Sequence, residues 1–172
     1  MFDKKLYVII KQAIGEDGFT RYTSNFKTRI VTQKTIYLLT HVIKNPIKLD
    51  YSWNFYLHGP YSSELAHMIY YMYDFIDELR EAEKLIQLNG EELDCIRKFH
   101  VFFKEIQRME NSNHTLEELM EIASTLIYLK NELNTAETII STYLNIMKPD
   151  LVKKMDEATI SRVESLIDIF QN

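Results

Sequence analysis

Apolar residues recur at intervals of three and four along most of this chain, which is the spacing of amphipathic helices. The cleanest stripe begins near Ser62 and runs through Leu65, Ile69 and Met72 to Leu79. Seven segments show this helical spacing: residues 2–13, 28–44, 62–79, 96–106, 115–127, 134–147 and 160–170. The pattern therefore predicts a mainly α fold with about seven helices.

Helix-ending and helix-capping residues separate these segments. The stops are Gly15, Asn45-Pro46, Asn111-Ser112-Asn113 and Lys148-Pro149, since proline cannot continue a helix and glycine follows many helix ends. Thr115 with Glu118, and Asn134 with Glu137, have the three-residue spacing of capping pairs. Residues 15–29 are polar and predict a loop.

Two short segments predict strands. Trp53, Phe55 and Leu57 alternate with polar neighbours, a period of two that is typical of a strand. Residues 85–88, just before Asn89-Gly90, predict a second strand that pairs with 53–57. Two strands alone are marginal in water, so we expect helices to cover this ribbon.

These elements predict one compact domain over residues 1–172, mainly α with a small two-stranded β-ribbon. Residues 1–90 and 91–172 form two subregions, and the ribbon makes a winged-helix-like build one option for the first. Cys95 is the single cysteine, so no internal disulfide forms and a reducing compartment fits. No apolar run reaches the roughly 20 residues of a membrane span, and we expect a cytoplasmic protein without membrane contact.

Charge is distributed unevenly. Residues 1–60 carry nine Lys and Arg against four Asp and Glu, whereas residues 61–172 carry eleven against twenty-one. The chain therefore has a net charge of −5 with a basic first third. Such asymmetry suits a partner protein or self-association, and the acidic remainder disfavours nucleic acid.

The densest cluster of chemically useful side chains lies in residues 53–65, where a strand leads through His58-Gly59-Pro60-Tyr61-Ser62-Ser63 to a helix. A helix N-terminus offers free N–H groups that can hold an anion. We expect Lys34 and Tyr37 of the second helix to lie beside it. The alternative is structural: Tyr61 is buried, Ser62 is an ordinary cap and Lys34 points into water. The candidate binding residues are Lys34, Tyr37, His58, Gly59, Tyr61, Ser62 and Ser63.

Catalytic and metal-binding patterns are weak. Glu64 and His67 have the spacing of half a di-iron site, but such a site needs this pair twice. Ser62 and Ser63 follow His58 without an acid evidently placed to orient it. We therefore expect no cofactor, no metal and no catalytic residue.

Two segments of the chain resemble motifs of a known family. Residues 32–39, Thr-Gln-Lys-Thr-Ile-Tyr-Leu-Leu, and residues 56–65, Tyr-Leu-His-Gly-Pro-Tyr-Ser-Ser-Glu-Leu, are similar to motifs of the YwgA-type family of uncharacterised proteins. A more distant similarity is to the Panacea domain of SocA-like antitoxins. The resemblance implies a shared fold and one signature that includes Lys34, Tyr37 and the Gly59–Ser62 turn, but no established activity.

We therefore expect a non-enzymatic regulatory or protein-interaction module, similar to an antitoxin or adaptor. The alternative is a winged-helix-like transcriptional regulator that binds nucleic acid, motivated by the basic first third and a ribbon at 85–89. Against it, the helix after Ser62 carries acidic residues where a DNA-reading helix needs Arg, Lys, Asn or Gln. An enzyme of unrecognised type is the third option.

Overall fold

A computed structural model describes residues 4–42, 47–131 and 137–171, without the side chains of residues 137 and 138. Over these ranges it contains ten helices, eight of them with at least seven residues, and one two-stranded antiparallel sheet. In chain order the elements are α1 (Lys4–Ile14), α2 (Asp17–Thr20), α3 (Phe26–His41), β1 (Asn54–Tyr56), β2 (Gly59–Tyr61), α4 (Ser63–Tyr73), α5 (Ile76–Glu83), α6 (Gly90–Arg108), α7 (Leu116–Asn131), α8 (Glu137–Met147), α9 (Pro149–Lys154) and α10 (Glu157–Gln171). The mainly α prediction is confirmed, but the predicted number of helices was too low.

In the N-terminal third, the predicted first helix is present as α1, but the segment predicted as a loop contains a short helix. Helix α1 ends where expected: Gly15 adopts a φ of 84° and its N–H donates to the Lys11 carbonyl at 2.9 Å. The polar segment 15–29 contains α2, whose Phe19 ring is fully buried and packs edge-on against Tyr7 at 5.1 Å. The buried Phe19 ring anchors this short helix, which the polar composition of the segment did not reveal. The predicted stop at Asn45-Pro46 lies outside the described residues.

Helices α3 and α7 form the centre of the molecule and pack against each other. Residues 32–39 of α3 and 119–127 of α7 are buried without interruption. Over these residues every side of each helix is covered, so neither helix has a solvent-exposed face there. The two predicted subregions, 1–90 and 91–172, therefore share one hydrophobic core through this helix pair.

The predicted helix over 62–79 is two helices. Helix α4 ends at Tyr73 and α5 begins at Ile76, and Phe75 between them has a non-helical backbone with φ −119° and ψ 28°. The apolar stripe continues across this break with Met72, Ile76 and Leu79. Periodicity therefore could not reveal the break.

The predicted ribbon has the wrong second strand. Strand β1 pairs with β2, with Asn54 opposite Tyr61 and Tyr56 opposite Gly59, through a two-residue Leu57-His58 loop. Residues 85–88 are not a strand and connect α5 to α6. Asn89 caps α6 in a capping box: its side chain accepts from the Glu92 N–H at 2.9 Å, and the Glu92 carboxylate accepts from the Asn89 N–H at 3.0 Å. The ribbon predicted at 85–89 is thus a connection that ends in the cap of α6.

In the C-terminal half, the observed helix ends agree more closely with the helix-ending and capping residues predicted from the sequence. Thr115 and Glu118 form the predicted capping box, with distances of 3.0 and 3.4 Å. Helix α8 ends before Lys148, and Pro149 then begins α9, because proline is favoured in a first helical turn. The predicted cap at Asn134 lies outside the described residues. No described helix has the length and apolarity that crossing a membrane requires.

Removal of the Asn89 cap should destabilise the fold measurably. In Asn89→Ala the Glu92 N–H loses its side-chain acceptor, so we expect the free energy of unfolding to fall by about 1 kcal/mol. Urea denaturation followed by circular dichroism measures this. Asn113→Ala, at an exposed loop position, is the control and should stay within about 0.5 kcal/mol of the wild type. Equal losses in both variants would contradict the capping role.

Candidate functional site

The β1–β2 hairpin is the structure into which the Gly-Pro-Tyr-Ser motif folds. Gly59 begins β2 with a φ of 82°, a conformation that L side chains rarely adopt. A Cβ atom at Gly59 would lie 3.1 Å from the Thr125 hydroxyl and 3.4 Å from the Ser124 hydroxyl of α7. Gly59 is therefore required both by its backbone conformation and by the close approach of the hairpin to α7.

Gln33 of α3 holds the end of the hairpin. Its side-chain oxygen accepts from the Ser62 N–H at 3.1 Å, and its side-chain nitrogen donates to the Ser62 carbonyl at 3.1 Å. The same nitrogen donates to the Tyr22 hydroxyl at 2.8 Å, and Gln33 is 1% exposed. This amide pairs with the extended backbone of Ser62, just after β2, as a neighbouring strand would. Gln33 belongs to the Thr32–Leu39 motif, but the sequence did not predict it as a site residue.

Lys34 lies beside the hairpin, as predicted, but it is buried. Its Nζ donates to the Pro60 carbonyl at 2.5 Å, and the residue is 2% exposed. Burial lowers the pKa of Lys34 to about 7, the Glu121 carboxylate opposes that change, and the Lys148 ammonium adds to it. The expectation that Lys34 points into water is wrong. Because its charge faces an internal carbonyl, it does not present a cation to an anion at the α4 N-terminus.

The other residues at the start of α4 have structural partners. The buried Ser62 hydroxyl accepts from the Leu65 N–H at 3.2 Å, which is an ordinary N-cap. Ser63 is the exposed first residue of α4. Tyr61 is half-buried, and its ring meets the exposed Tyr56 ring edge-on at 5.4 Å. Burial raises the pKa of Tyr61.

Tyr37 belongs to the core rather than to an exposed site. It is fully buried, stacks on His41 at 4.1 Å and meets Trp53 edge-on at 5.0 Å. The structure therefore brings Lys34 to the hairpin and places Tyr37 one turn away against the start of β1. Neither side chain reaches solvent there.

His58 at the hairpin tip has an acid partner that the sequence did not reveal. Its Nδ1 lies 3.0 Å from Glu121 Oε2, and the other oxygen of Glu121 lies 2.7 Å from Lys148 Nζ. Lys148 also donates to the Leu57 carbonyl. Glu121 and Lys148 are both buried. These side-chain contacts fix the hairpin tip to α7 and to the start of α9.

Two clefts flank the hairpin tip and share walls at Phe26, Ile30, Leu57 and His58. The larger has a volume of about 540 Å³ and extends between the N-termini of α7 and α9. Two lysines of its walls are paired with carboxylates of the same cleft: Lys27 lies 3.2 Å from Glu117, and Lys154 lies 2.6 Å from Glu118. The smaller, of about 220 Å³, lies between the hairpin and α3.

Exposed aromatic and apolar side chains surround the smaller cleft. Phe26 and Tyr56, each 55% exposed, and Leu57, 83% exposed, line it. Tyr70 does not line the cleft but is 39% exposed beside Arg29. Arg29 joins them, since its guanidinium lies 5.6 Å from the centre of the Tyr70 ring. We call the following set the aromatic surface: Phe26, Arg29, Tyr56, Leu57, Tyr61 and Tyr70. Tyr71, on the same helix as Tyr70, is 56% exposed.

Other candidate chemistry has structural explanations. Within the described ranges, no group of three His, Cys, Asp or Glu residues could hold a metal ion. Cys95 is buried, and burial raises the pKa of its thiol to about 11, which keeps it protonated and unreactive at neutral pH. No family model, curated protein or solved structure matches the chain.

The requirement for Gly59 can be separated into its two causes. Gly59→Ala introduces both backbone strain and the 3.1 Å contact with Thr125, so we expect a loss of more than about 2 kcal/mol in the free energy of unfolding. Gly15→Ala introduces strain alone, since nothing lies within 4 Å of its Cβ position, and should cost about 1–2 kcal/mol. Gly90→Ala introduces neither and should be neutral or stabilising. Chemical denaturation ranks the three, and equal losses at Gly59 and Gly15 would exclude the contact with α7.

The buried Lys34 should make stability depend on pH. Because its pKa falls from 10.5 to about 7 on folding, the unfolded chain binds more protons between these pH values, and stability rises with pH across that window. The contribution is lost as pH falls toward 7. Its slope is at most about 1.4 kcal/mol per pH unit. In Lys34→Met this contribution is absent.

Urea denaturation of both proteins from pH 6.5 to 10 measures the effect. We expect the wild type to gain stability relative to Lys34→Met as pH rises. Lys104→Met removes an exposed lysine of α6 and is the control for loss of a charge alone. A wild-type minus Lys34→Met difference that stays constant with pH would contradict a depressed pKa.

Proposed function

We propose that this chain is a non-enzymatic protein-interaction module, regulatory in the manner of an antitoxin or adaptor. Its aromatic surface binds an apolar segment of a partner protein that carries a carboxylate. The observation that carries this proposal is Arg29, a cation without a carboxylate partner among the described residues, set within exposed aromatic side chains. The resemblance to the YwgA-type family, and a cytoplasmic location suited to a lone reduced cysteine, are parts of the same proposal.

The composition of the aromatic surface supports binding to a protein. Tyrosine and arginine are enriched among residues that contribute most to protein–protein affinity. Leu57 at 83% and Tyr56 at 55% exposure keep apolar area in water, and covering it would be favourable by about 25 cal/mol per Å². The adjoining cleft of about 220 Å³ is lined mainly by apolar atoms and can accept an apolar side chain.

Arg29 supports the choice of an acidic partner segment. Its guanidinium donates to the Tyr22 carbonyl at 3.4 Å and to the Thr23 carbonyl at 3.3 Å, and it lies over the faces of Tyr22 and Tyr70. These contacts orient the group but leave its charge uncompensated. A carboxylate matches the planar fork of a guanidinium. An apolar residue next to Asp, Glu or a C-terminal carboxylate would therefore fill the cleft and pair with the Arg29 cation together.

The rigidity of the hairpin supports binding without a large entropic cost. Gln33, Lys34 and Lys148 each donate to a backbone carbonyl of the segment 57–62. A surface that is already ordered loses less conformational entropy when a partner binds. The aromatic surface is thus preformed.

A peptide-display selection tests the proposal directly. Immobilised wild-type protein should enrich peptides in which an apolar residue neighbours Asp or Glu. We expect Leu57→Lys and Arg29→Met each to weaken binding of a selected synthetic peptide at least about tenfold, or about 1.4 kcal/mol. Val101→Lys, at a 54% exposed position on α6 that lines neither cleft, should bind as the wild type does. Circular dichroism confirms that each variant is folded.

Three outcomes would overturn the proposal: no enrichment, enrichment of basic peptides, or equal weakening by Val101→Lys. Binding to duplex DNA that falls steeply with salt would instead favour the nucleic-acid alternative. That alternative retains the basic first third but has lost the predicted ribbon at 85–89.

A further inference from the structure

Helix α8 has an unusual composition for a surface helix. After Glu137 its sequence is Thr-Ile-Ile-Ser-Thr-Tyr-Leu-Asn-Ile-Met, ten residues without a charged side chain in a chain that is 26% charged. Six of these residues are nevertheless exposed, at positions 139, 141–143, 145 and 146. A charge-depleted exposed face is typical of the centre of a protein–protein interface.

The apolar residues of α8 form two separate rows. Ile140 and Leu144 are 2% exposed and face the core. Ile139, Tyr143 and Ile146 are 43%, 42% and 70% exposed and follow each other at intervals of four and three residues. We call these three residues the α8 stripe. Intervals of four and three repeat every seven residues, as in the seam along which two helices pack.

We propose that the α8 stripe is the interface through which two copies of this chain associate. In an antiparallel arrangement, a two-fold axis passes beside Tyr143, midway between Ile139 and Ile146. Ile139 of each copy then packs against Ile146 of the other. This reciprocal contact is what a two-fold interface requires.

Charge makes α8 the face of the C-terminal half where a second copy would be repelled least. Residues 61–172 carry a net charge of −10, so most other contacts between two C-terminal halves would oppose like charges. A two-fold axis brings equivalent side chains close to each other, and α8 has no charged residue between 138 and 147 to be repelled. A basic partner would instead be attracted to the acidic faces.

The size of the stripe sets the expected strength. An 11-residue helix is about 16 Å long, and stable dimers bury about 800 Å² on each partner. The stripe alone is smaller than that, so we expect a dimer with a dissociation constant in the micromolar range or weaker. Sedimentation velocity from about 1 µM to about 1 mM covers this range.

The wild type should shift from monomer to dimer across that range. Ile146→Lys should raise the dissociation constant at least about tenfold, and Val101→Lys on α6 should leave it unchanged. Leu57→Lys, in the aromatic surface, should also leave it unchanged, so dimerisation and partner binding fail independently. Circular dichroism checks the fold of each variant.

A charge exchange tests the antiparallel geometry. Ile139→Lys and Ile146→Glu alone should each weaken the dimer, because equivalent charges enter an apolar interface. The double variant places each lysine opposite a glutamate of the other copy and should recover most of the lost association. A wild type that stays monomeric at every concentration, a dimer insensitive to Ile146→Lys, or a double variant no better than the single ones would overturn the proposal.

Discussion

The hairpin depends on hydrogen bonds that buried side chains donate to its backbone. Strands of three residues are marginal alone in water, and most of their buried carbonyls must find donors. Gln33 and Lys34 of α3 supply them at Ser62 and Pro60, and Lys148 supplies another at Leu57. A buried carbonyl that loses its donor costs about 1–3 kcal/mol. The position of the aromatic surface is therefore set by polar residues in the core.

Lys34 illustrates why such a contact is kept despite its electrostatic cost. An ammonium that is 2% exposed has lost most of its hydration, and its depressed pKa is the measure of that loss. Glu121 is one buried carboxylate near two buried lysines. An apolar side chain of the same length would remove the desolvation cost, but it could not donate to Pro60. The geometry of the hairpin, rather than net stability, thus explains a lysine at this position.

Local signals in the sequence predicted local features well. Gly15 and the Thr115–Glu118 pair mark a helix end and a helix start because each acts on its own backbone turn. The hairpin was misjudged because Gly59-Pro60 also suits a tight turn before a helix, and the apolar run 85–88 suits a strand. Which segment pairs with β1 depends on a two-residue loop and on the space beside α7. Neither is encoded in periodicity.

Contacts between distant segments account for most of what was missed at the site. His58 and Glu121 are 63 positions apart, and Lys148 and Leu57 are 91 apart. Arg29 lies where the predicted polar loop 15–29 overlaps the start of the predicted helix 28–44, and a cation is common in either. One feature could have indicated the role of Gln33: it stands next to Lys34 in a helical segment whose other residues are buried. A buried amide beside a buried amine indicates backbone groups nearby that need partners.

The two exposed surfaces differ in a way that determines their occupants. Self-association across a two-fold axis through the aromatic surface would bring Arg29 near its own equivalent, and two guanidinium groups there would repel each other. A carboxylate-bearing partner has the opposite effect, because it compensates the charge. The α8 stripe has no charge to compensate and none to repel, so it suits a second copy of itself. The aromatic surface and the α8 stripe share no residue, and a dimer formed through α8 would therefore keep two copies of the aromatic surface for partner segments.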